Sequence, residues 1–293
     1  MNFTLRQLEV FLAVARTQSV SRAGRELSLS QSAVSGALAD FERAFEVSLF
    51  DRIGKRLRLS DVGRSVRSRA ESLWDEAAEF ESVLTQQAGA ARLRIGATLT
   101  IGNYVVVPIM ARFMREEPGS VLTLDVANTE TIAQRVANFE LDVGLVEGEL
   151  SDSELEVTAF RDDELVVFSS PSDPLAATPF LTDADLKRAT WIVREHGSGT
   201  RQAFERAMSG ILPELRLGLE LQHTEAIKKA VQAGLGVGCL SRIALADDFA
   251  QGTLSPLAVP HRDFRRQFYF VLHKQKHVSP AIQRWLALCR EAA

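Results

Sequence analysis

The sequence predicts an α/β protein with a small, mainly helical N-terminal part, one long helix and a larger C-terminal part of alternating strands and helices. Three features support this fold class. Apolar residues recur at helical spacing through the first sixty residues, and no proline interrupts residues 60–87. From residue 91 onward, short apolar runs alternate with amphipathic segments, as in β-α-β units.

Three helices are predicted within the first sixty residues. The apolar face of the first consists of Leu5, Leu8, Phe11 and Leu12. Ser21 is expected to cap a second helix over residues 22–27, and Ser30 a third over residues 31–45. The apolar stripe of the third consists of Ala33, Val34, Ala37, Leu38 and Phe41. Two short helices joined by a tight turn are typical of a helix-turn-helix, whose second helix enters the DNA major groove.

A basic hairpin is predicted directly after these helices. In "LFDRIGKRLRLS", two short strands flank the Ile53-Gly54 pair, and the clustered basic residues are Arg52, Lys55, Arg56 and Arg58. Such a hairpin beside a helix-turn-helix is a wing, and DNA phosphates are its expected partners. The alternative is a three-helix packing domain whose surface is basic without function. Residues 1–60 contain nine Arg or Lys and six Asp or Glu, so this part has a net charge of +3, whereas the whole chain has a net charge of −4. This asymmetry is compatible with a nucleic-acid-binding module at the N-terminus.

Residues 5–64 resemble the winged helix-turn-helix of LysR-type transcriptional regulators, notably in "QSAVS" and "LFDR". The resemblance implies a homodimer or homotetramer that binds double-stranded promoter DNA and works with RNA polymerase. It implies groove contacts by Ser30, Gln31, Ser32 and Ser35, and phosphate contacts by Arg52, Lys55 and Arg56. One departure is Gly36, which stands where many members carry Arg, His or Lys.

The chain is predicted to divide into a winged helix-turn-helix DNA-binding domain at residues 1–59, a linker helix at 60–88 and an effector domain at 89–293. Apolar residues of the linker follow a coiled-coil-like spacing; they are Val66, Ala70, Leu73, Ala77, Phe80 and Leu84. This spacing fits a dimer seam, which the family resemblance favours. Packing of the helix on its own domain is the alternative. The stretch "QQAGAA" is expected to end the helix.

The effector domain is predicted to contain two α/β lobes with a mainly parallel sheet. The first lobe comprises about residues 91–160 and 267–293, and the second about 161–266. Pro108 is expected to kink or restart the helix after the first strand. The LysR resemblance implies the two-lobed fold of type 2 periplasmic binding proteins. Ligands in such sheets bind at the carboxyl ends of strands.

Four helix starts in this domain carry polar side chains and free backbone N–H groups. They lie in "ATLTIG", "ANTET", "GSGT" and "HTEAIKKAVQAGLGVG". Thr224 is expected to cap the helix in the last of these, and Gly234 to end it. Helix N-termini attract anions through their dipoles and N–H groups. Convergence of the four predicts an anion site, although each hydroxyl could instead cap its own helix.

The motifs "REHGSGTR" and "HKQKHVS" resemble one LysR branch, the CysL- and YeiE-like regulators tied to sulfur metabolism, with carbon-fixation regulators as near relatives. This resemblance implies a small anionic effector such as sulfite or sulfate. The implied effector-binding residues are Thr98, Thr100, Asn128, Glu147, Ser198, Gly199, Thr200 and Thr224. One departure from this branch is Leu99, which stands where a small hydroxyl residue is usual. The alternative effector is a phosphorylated metabolite.

The sequence contains no recognised catalytic, cofactor or metal motif. The "GSG" around Ser198 is not the G-x-S-x-G elbow, and the histidines show no metal-ligand spacing. Cys239 and Cys289 are expected to be buried rather than paired. The longest apolar run, "YVVVPIMA", is too short to span a bilayer, so a cytoplasmic location is expected. A regulator is therefore predicted, and the alternative to an effector-responsive one is a DNA-binding protein without an effector.

Overall fold

The N-terminal part is a helix-turn-helix followed by a hairpin. The computed structural model describes residues 2–53, 56–84 and 91–292. The first elements are α1 (Leu5–Thr17), α2 (Val20–Glu26), α3 (Gln31–Phe45), β1 (Phe50–Ile53) and β2 (Arg56–Leu59). β1 and β2 pair in antiparallel fashion, which confirms the predicted hairpin.

The start of α2 differs from the prediction. Ser19, not Ser21, is its N-cap, and the Ser19 hydroxyl accepts from a backbone N–H in the first turn. Ser21 lies within the helix and donates to Gln31 Oε1 at 3.0 Å. A cap needs extended backbone geometry and a nearby N–H, and Ser19 has both. The predicted cap of α3 is confirmed, since Ser30 accepts from the Ala33 N–H at 3.1 Å.

The core of the N-terminal part lies between α1 and α3. Phe11 of α1 is fully buried, and its ring centroid lies 6.2 Å from that of Phe41. Val34 and Leu38 of α3 are also buried, as predicted. Ala33, predicted on the same stripe, is exposed. The opposite face of α3 is left open to a partner.

One long helix, α4 (Asp61–Leu84), follows the hairpin. Ala70 was predicted to be part of the seam, but it is buried in the N-terminal core and does not contribute to an exposed stripe. The large apolar residues of the stripe are exposed; they are Val66, Leu73, Phe80 and Leu84. The predicted end of the helix at "QQAGAA" falls almost entirely outside the described residues. Dimerisation through this stripe stays a prediction.

Within the described residues, the C-terminal part contains a nine-stranded sheet. Its strands are β3 (Arg92–Ala97), β4 (Val121–Val126), β5 (Val143–Glu147), β6 (Leu155–Ser169), β7 (Thr190–Arg194), β8 (Arg216–Leu221), β9 (Val237–Ser241), β10 (Ser255–Leu257) and β11 (Arg265–His273). Their order is β4-β3-β5-β11-β6-β9-β7-β8, with β10 beside β6. The group β3, β4 and β5 is parallel, and so is the group β7, β8 and β9.

The sheet is mixed, so the prediction of a mainly parallel sheet was wrong. The long strands β6 and β11 run antiparallel to each other and join the two parallel groups. β6 pairs first with β11 and then with β9, so this strand belongs to both lobes. Alternation of strands and helices carries no information on the direction of strands that cross between lobes. The α/β fold class itself is confirmed.

Helices connect the strands of this sheet. They are α5 (Leu99–Ile101), α6 (Val107–Glu116), α7 (Thr129–Ala137), α8 (Asp183–Arg188), α9 (Gly199–Ala207), α10 (Thr224–Gln232), α11 (Arg242–Ala250) and α12 (Pro280–Glu291). A π-helical turn at Gly102–Val106 separates α5 from α6, and Pro108 lies in the first turn of α6, so the helix restarts there as predicted. Each lobe has its own core, around Trp285 in the first and Trp191 in the second. None of the helices in the described ranges combines the length and hydropathy needed to cross a bilayer.

Candidate effector-binding site

Four helix starts follow the carboxyl ends of strands, as predicted. α5 follows β3, α7 follows β4, α9 follows β7 and α10 follows β8. The first two helices belong to the lobe that contains β3, β4 and β5, and the other two to the lobe that contains β7, β8 and β9. A ligand bound among these helix starts would therefore contact both lobes.

Glu147, at the end of β5, joins the two lobes through hydrogen bonds. It is only 1% exposed. Its Oε1 accepts from Thr100 Oγ1 of α5 at 3.0 Å and from Thr200 Oγ1 of α9 at 3.1 Å. The two hydroxyls therefore lie within two hydrogen-bond lengths of each other. The structure thus brings three of the predicted site residues together.

A buried arginine completes this network, and sequence reasoning missed it. Arg266 Nη1 donates to Thr200 Oγ1 at 3.0 Å, and Nη2 lies 3.4 Å from Glu147 Oε2. The Nε of Arg266 donates to Asp163 Oδ2 at 2.7 Å, and Ser241 donates to Asp163 Oδ1 at the same distance. Two carboxylates thus share one guanidinium. The available signal was the presence of charged residues in the otherwise apolar strands β6 and β11.

Three hydroxyl groups at the helix starts are buried without a hydrogen-bond partner among the described residues. They belong to Thr98, Ser198 and Thr224, which are 2%, 3% and 2% exposed. Thr98 and Ser198 occupy N-cap positions, but neither side chain caps its helix. Buried hydroxyls in proteins are nearly always hydrogen-bonded, because a buried hydroxyl without a hydrogen-bond partner destabilises the folded state. These three groups are therefore well suited to bind an acceptor such as an oxyanion.

The position of Thr224 corrects its predicted role as a cap. The N-cap of α10 is His223, and Thr224 is the first helical residue. Capping needs extended backbone angles, which a helical residue does not have. Gly234 follows the helix with φ of +78° and ends it, as predicted.

Asn128 and Gly199 have positioning roles in the structure. Asn128 caps α7 by accepting from the Thr131 N–H at 3.0 Å. The Gly199 N–H donates to Thr129 Oγ1 at 3.2 Å. A Cβ on Gly199 would lie 1.4 Å from the Glu147 carbonyl oxygen, so only glycine allows α9 to approach β5. Both predicted residues lie at these helix starts, and the Gly199 N–H is already used by the protein.

A second contact between the lobes lies near the start of α10. Tyr104 Oη donates to Glu225 Oε1 at 2.5 Å. Burial and this hydrogen bond raise the pKa of Tyr104 to about 12, so the phenol stays a donor at neutral pH. Lys228 pairs with Glu225 and Asp248 and lies 5.9 Å from the centroid of the Tyr104 ring. Lys228 shares a helix face with Thr224, four residues earlier, and its charge is balanced by the two carboxylates.

The cysteines are buried, as predicted. Burial raises the pKa of the Cys289 thiol to about 12 and also raises the pKa of Cys239. Both thiols are therefore protonated and poorly reactive at neutral pH. In the described part of the chain, no group of His, Cys, Asp or Glu side chains is arranged to hold a metal ion.

The predicted DNA contacts lie on α3 and on the hairpin. The exposed candidates are Ser30, Gln31, Ser32, Ser35 and Arg52. The hydroxyls of Ser30 and Ser32 lie 2.9 Å apart. Lys55 lies outside the described residues, and Arg56 is described only through its backbone in β2. The side chains that are described are thus accessible to a partner.

Both parts of the chain match known families. Residues 5–64 match the family described as "Bacterial regulatory helix-turn-helix protein, lysR family". Residues 86–293 match the "LysR substrate binding domain". The two matches include the helix-turn-helix and the nine-stranded sheet with its helix starts.

Individual proteins are similar over most of the chain. It is 42% identical over 292 residues to the "Uncharacterized HTH-type transcriptional regulator YeiE" of Escherichia coli strain K12, covering 100% of this chain and 99% of that protein. It is 38% identical over 283 residues to the RuBisCO operon transcriptional regulator of Allochromatium vinosum, covering 96% and 93%. Among solved structures, the Synechocystis PCC6803 CcmR regulatory domain in complex with 2-PG is 30% identical with a TM-score of 0.64, covering 69% of this chain and 96% of that chain.

Proposed function

Because the chain belongs to the LysR family of bacterial helix-turn-helix transcriptional regulators, we propose that it controls transcription in response to a small anionic effector. Membership makes it a DNA-binding regulator with an effector-binding domain, and not an enzyme. The proposal adds the kind of effector and its place between the lobes. The proposed binding groups are the hydroxyls of Thr98, Ser198 and Thr224, with the N–H groups of the helix starts.

The buried hydroxyls are the observation that carries this proposal. Each lies at a helix start, where the backbone dipole favours negative charge. An oxyanion accepts hydrogen bonds at several oxygens, whereas a neutral aromatic ligand would leave these hydroxyls without a hydrogen-bond partner. Thr100 and Thr200, bridged by Glu147, would hold the two lobes together around the anion.

We infer a sulfur oxyanion, sulfite or sulfate, as the effector. Such ions are small enough to be held by a few hydroxyls and helix N–H groups. The motifs "REHGSGTR" and "HKQKHVS" support the same branch of the family. The alternative is a phosphorylated metabolite of the carbon-fixation type. That alternative is favoured by similarity to the RuBisCO operon regulator and to the CcmR domain in complex with 2-PG.

Calorimetry on the full chain tests the site. Sulfite, sulfate, thiosulfate, phosphate and 2-PG are titrated into wild type and into the variants Thr98→Val, Ser198→Ala and Thr224→Val. Loss of one hydrogen bond to an anion should weaken binding about 10- to 150-fold. Thr123→Val, on an exposed position of β4, is the matched control and should bind as wild type does.

Three outcomes would contradict the proposal at different levels. Equal affinity of wild type and the three site variants would remove the hydroxyls from the site. If no anion released or absorbed heat with wild type, the alternative of a DNA-binding protein without an effector would stand. Tight binding of 2-PG alone would favour the carbon-fixation alternative.

Domain roles complete the proposal. We assign DNA binding to residues 1–59, dimerisation to 60–88 and effector binding to 89–293. On DNA, α3 would enter the major groove while basic residues of the hairpin contact phosphates. A homodimer or homotetramer would bind paired half-sites and contact RNA polymerase, in the cytoplasm where bacterial promoters are found.

A further inference from the structure

Gly36 lies in the middle of α3 on its exposed face. Apart from its two chain neighbours and the adjoining backbone of α3, a Cβ added there would have no atom of the described residues within 4 Å, and no positive φ requires glycine. Gly24 is different, because a Cβ on it would lie 2.8 Å from the Leu29 carbonyl oxygen in the turn between α2 and α3. The fold therefore needs glycine at position 24 but not at position 36.

Glycine at an exposed position within a helix weakens folding. Relative to alanine, it lowers the folding equilibrium constant about fivefold, because a more flexible backbone loses more entropy on folding. The described residues leave room for a side chain at this position, so packing within the protein does not account for the glycine. The benefit of the missing side chain is therefore expected in a complex with whatever binds this face of α3.

The surroundings of Gly36 show what such a partner would meet. Most neighbouring exposed residues have very short side chains; they are Ser32, Ala33, Ser35 and Ala39. The exception is Asp40, one turn after Gly36, whose carboxylate pairs with Arg43 at 2.8 Å. Longer side chains stand near the two ends of the helix, at Gln31 and Arg43. Gln31 is already held by the hydrogen bond from Ser21. The stretch of α3 from Ser32 to Ala39 can thus bring its backbone unusually close to a surface that it lies against.

We propose that Gly36 determines DNA sequence preference by letting the backbone of α3 approach base edges in the major groove. At this distance, small groups can pack against a thymine methyl group, which marks A·T pairs in the major groove. A side chain at position 36 would hold the helix away from that methyl group. The inference rests on DNA binding by the helix-turn-helix and is independent of the proposed effector.

The test compares specific with non-specific binding. A preferred duplex is selected from random-sequence DNA with the wild-type full chain, and fluorescence anisotropy measures affinity for it and for a random duplex. Gly36→Ala should raise the midpoint of thermal unfolding and weaken binding to the selected duplex about tenfold, the cost of failing to recognise one base pair. Binding to the random duplex depends on phosphate contacts and should not change.

Replacing thymine by uracil in the selected duplex tests the proposed packing itself, since this change removes only the methyl group. Wild type should lose affinity at one or more of these positions. Gly36→Ala should lose no further affinity there, because its helix no longer reaches the methyl group. If Gly36→Ala and the replacement of thymine by uracil lower DNA affinity additively, the proposal is overturned.

Ala44→Gly is the matched control, since it exchanges the same two residue types at an exposed position near the end of α3. It should lower the thermal midpoint and leave discrimination unchanged. The double variant Gly36→Ala with Ala44→Gly should be close to wild type in stability and still discriminate poorly. This result would separate the effect on DNA recognition from the effect on folding.

Several results would overturn the proposal. They are unchanged discrimination in Gly36→Ala, an equal loss of affinity for both duplexes, and a thermal midpoint below that of wild type, which would reveal a structural need for glycine. If wild type selects no sequence, the proposal fails together with specific DNA binding, while the effector proposal is untouched.

Discussion

Arg266 and Asp163 face each other across the antiparallel strands β11 and β6, with Arg266 Nε 2.7 Å from Asp163 Oδ2 and both side chains almost fully buried. β6 pairs with strands of both lobes, so this ion pair lies where the lobes join. The remaining nitrogens of the guanidinium reach Thr200 and Glu147, one from each lobe. An effector bound among these groups would therefore act directly on the contacts between the lobes.

Arg266→Met should lower the free energy of unfolding by about 3–5 kcal/mol, because Asp163 and Glu147 would stay buried without their cationic partner. Chemical denaturation of the full chain measures this loss. Arg265→Ala is the control, since its side chain is exposed beside Asp263 and should contribute little. A loss no larger than that of the control would show that the buried pair does not stabilise the lobes.

Asp142 should make folding sensitive to acid. Burial alone would raise the pKa of Asp142, but hydrogen bonds from Arg94 and the charge of Lys276 lower it to about 2. A carboxylate with a depressed pKa stabilises the fold above its unfolded pKa, so the contribution is complete at neutral pH. This contribution of about 2 kcal/mol is lost as pH falls from about 4 to about 2.

Asp142→Asn should accordingly be less stable than wild type at neutral pH, and the two proteins should converge as the pH falls through that window. Urea unfolding at a series of pH values measures the difference. A difference that stays constant from neutral pH to pH 2 would contradict the role of the charge.

Local patterns predicted the helix-turn-helix, the hairpin and the helix starts, because these depend on residues close together in the chain. The pair of Arg266 and Asp163 joins residues 103 positions apart and depends on the directions of β6 and β11, which no local pattern carries. Ser21 and Thr224 do not act as caps because neighbouring residues hold the extended geometry that a cap needs. Hydroxyl spacing thus located the helix starts but not the bonds made by each hydroxyl. Those bonds depend on which carboxylate the folded chain places beside each hydroxyl.

DNA binding should separate into phosphate and base contributions. The double variant Arg52→Ala, Lys55→Ala should weaken binding to all sequences and reduce the slope of log affinity against log salt by about 1 for each phosphate that the protein no longer neutralises. Gln31→Ala should mainly reduce discrimination between sequences. Titrations over a range of salt concentrations measure both. An unchanged slope in the double variant would exclude the hairpin from the interface.

The exposed stripe of α4 should form a dimer seam. Leu73→Asp combined with Phe80→Asp places charges in this stripe and should dissociate the assembly and weaken operator binding, because paired half-sites need a dimer. Sedimentation velocity measures the assembly. Ala78→Asp introduces one charge of the same sign at another exposed position of α4 and should leave the assembly intact. A native assembly in the Leu73/Phe80 variant would favour packing of α4 on its own chain.

Ser198 and Thr200 should differ in what their hydroxyls contribute before and after an anion binds. Ser198→Ala removes a hydroxyl that has no partner among the described residues, so without ligand the variant should be as stable as wild type or about 1 kcal/mol more stable. Thr200→Val removes a hydroxyl that donates to Glu147 and accepts from Arg266, so it should cost about 1–3 kcal/mol. Sulfite or sulfate should stabilise wild type in proportion to the logarithm of its concentration over Kd, and Ser198→Ala much less.

Thermal unfolding of wild type and both variants, with and without each anion, measures these effects. The assignment of the anion site depends on the distinction between hydroxyls with and without a hydrogen-bond partner in the ligand-free protein. Only a hydroxyl without a partner gains a hydrogen bond when the anion binds. Equal losses of stability in the two ligand-free variants, with undiminished stabilisation of Ser198→Ala by the anion, would contradict that distinction and move the site elsewhere.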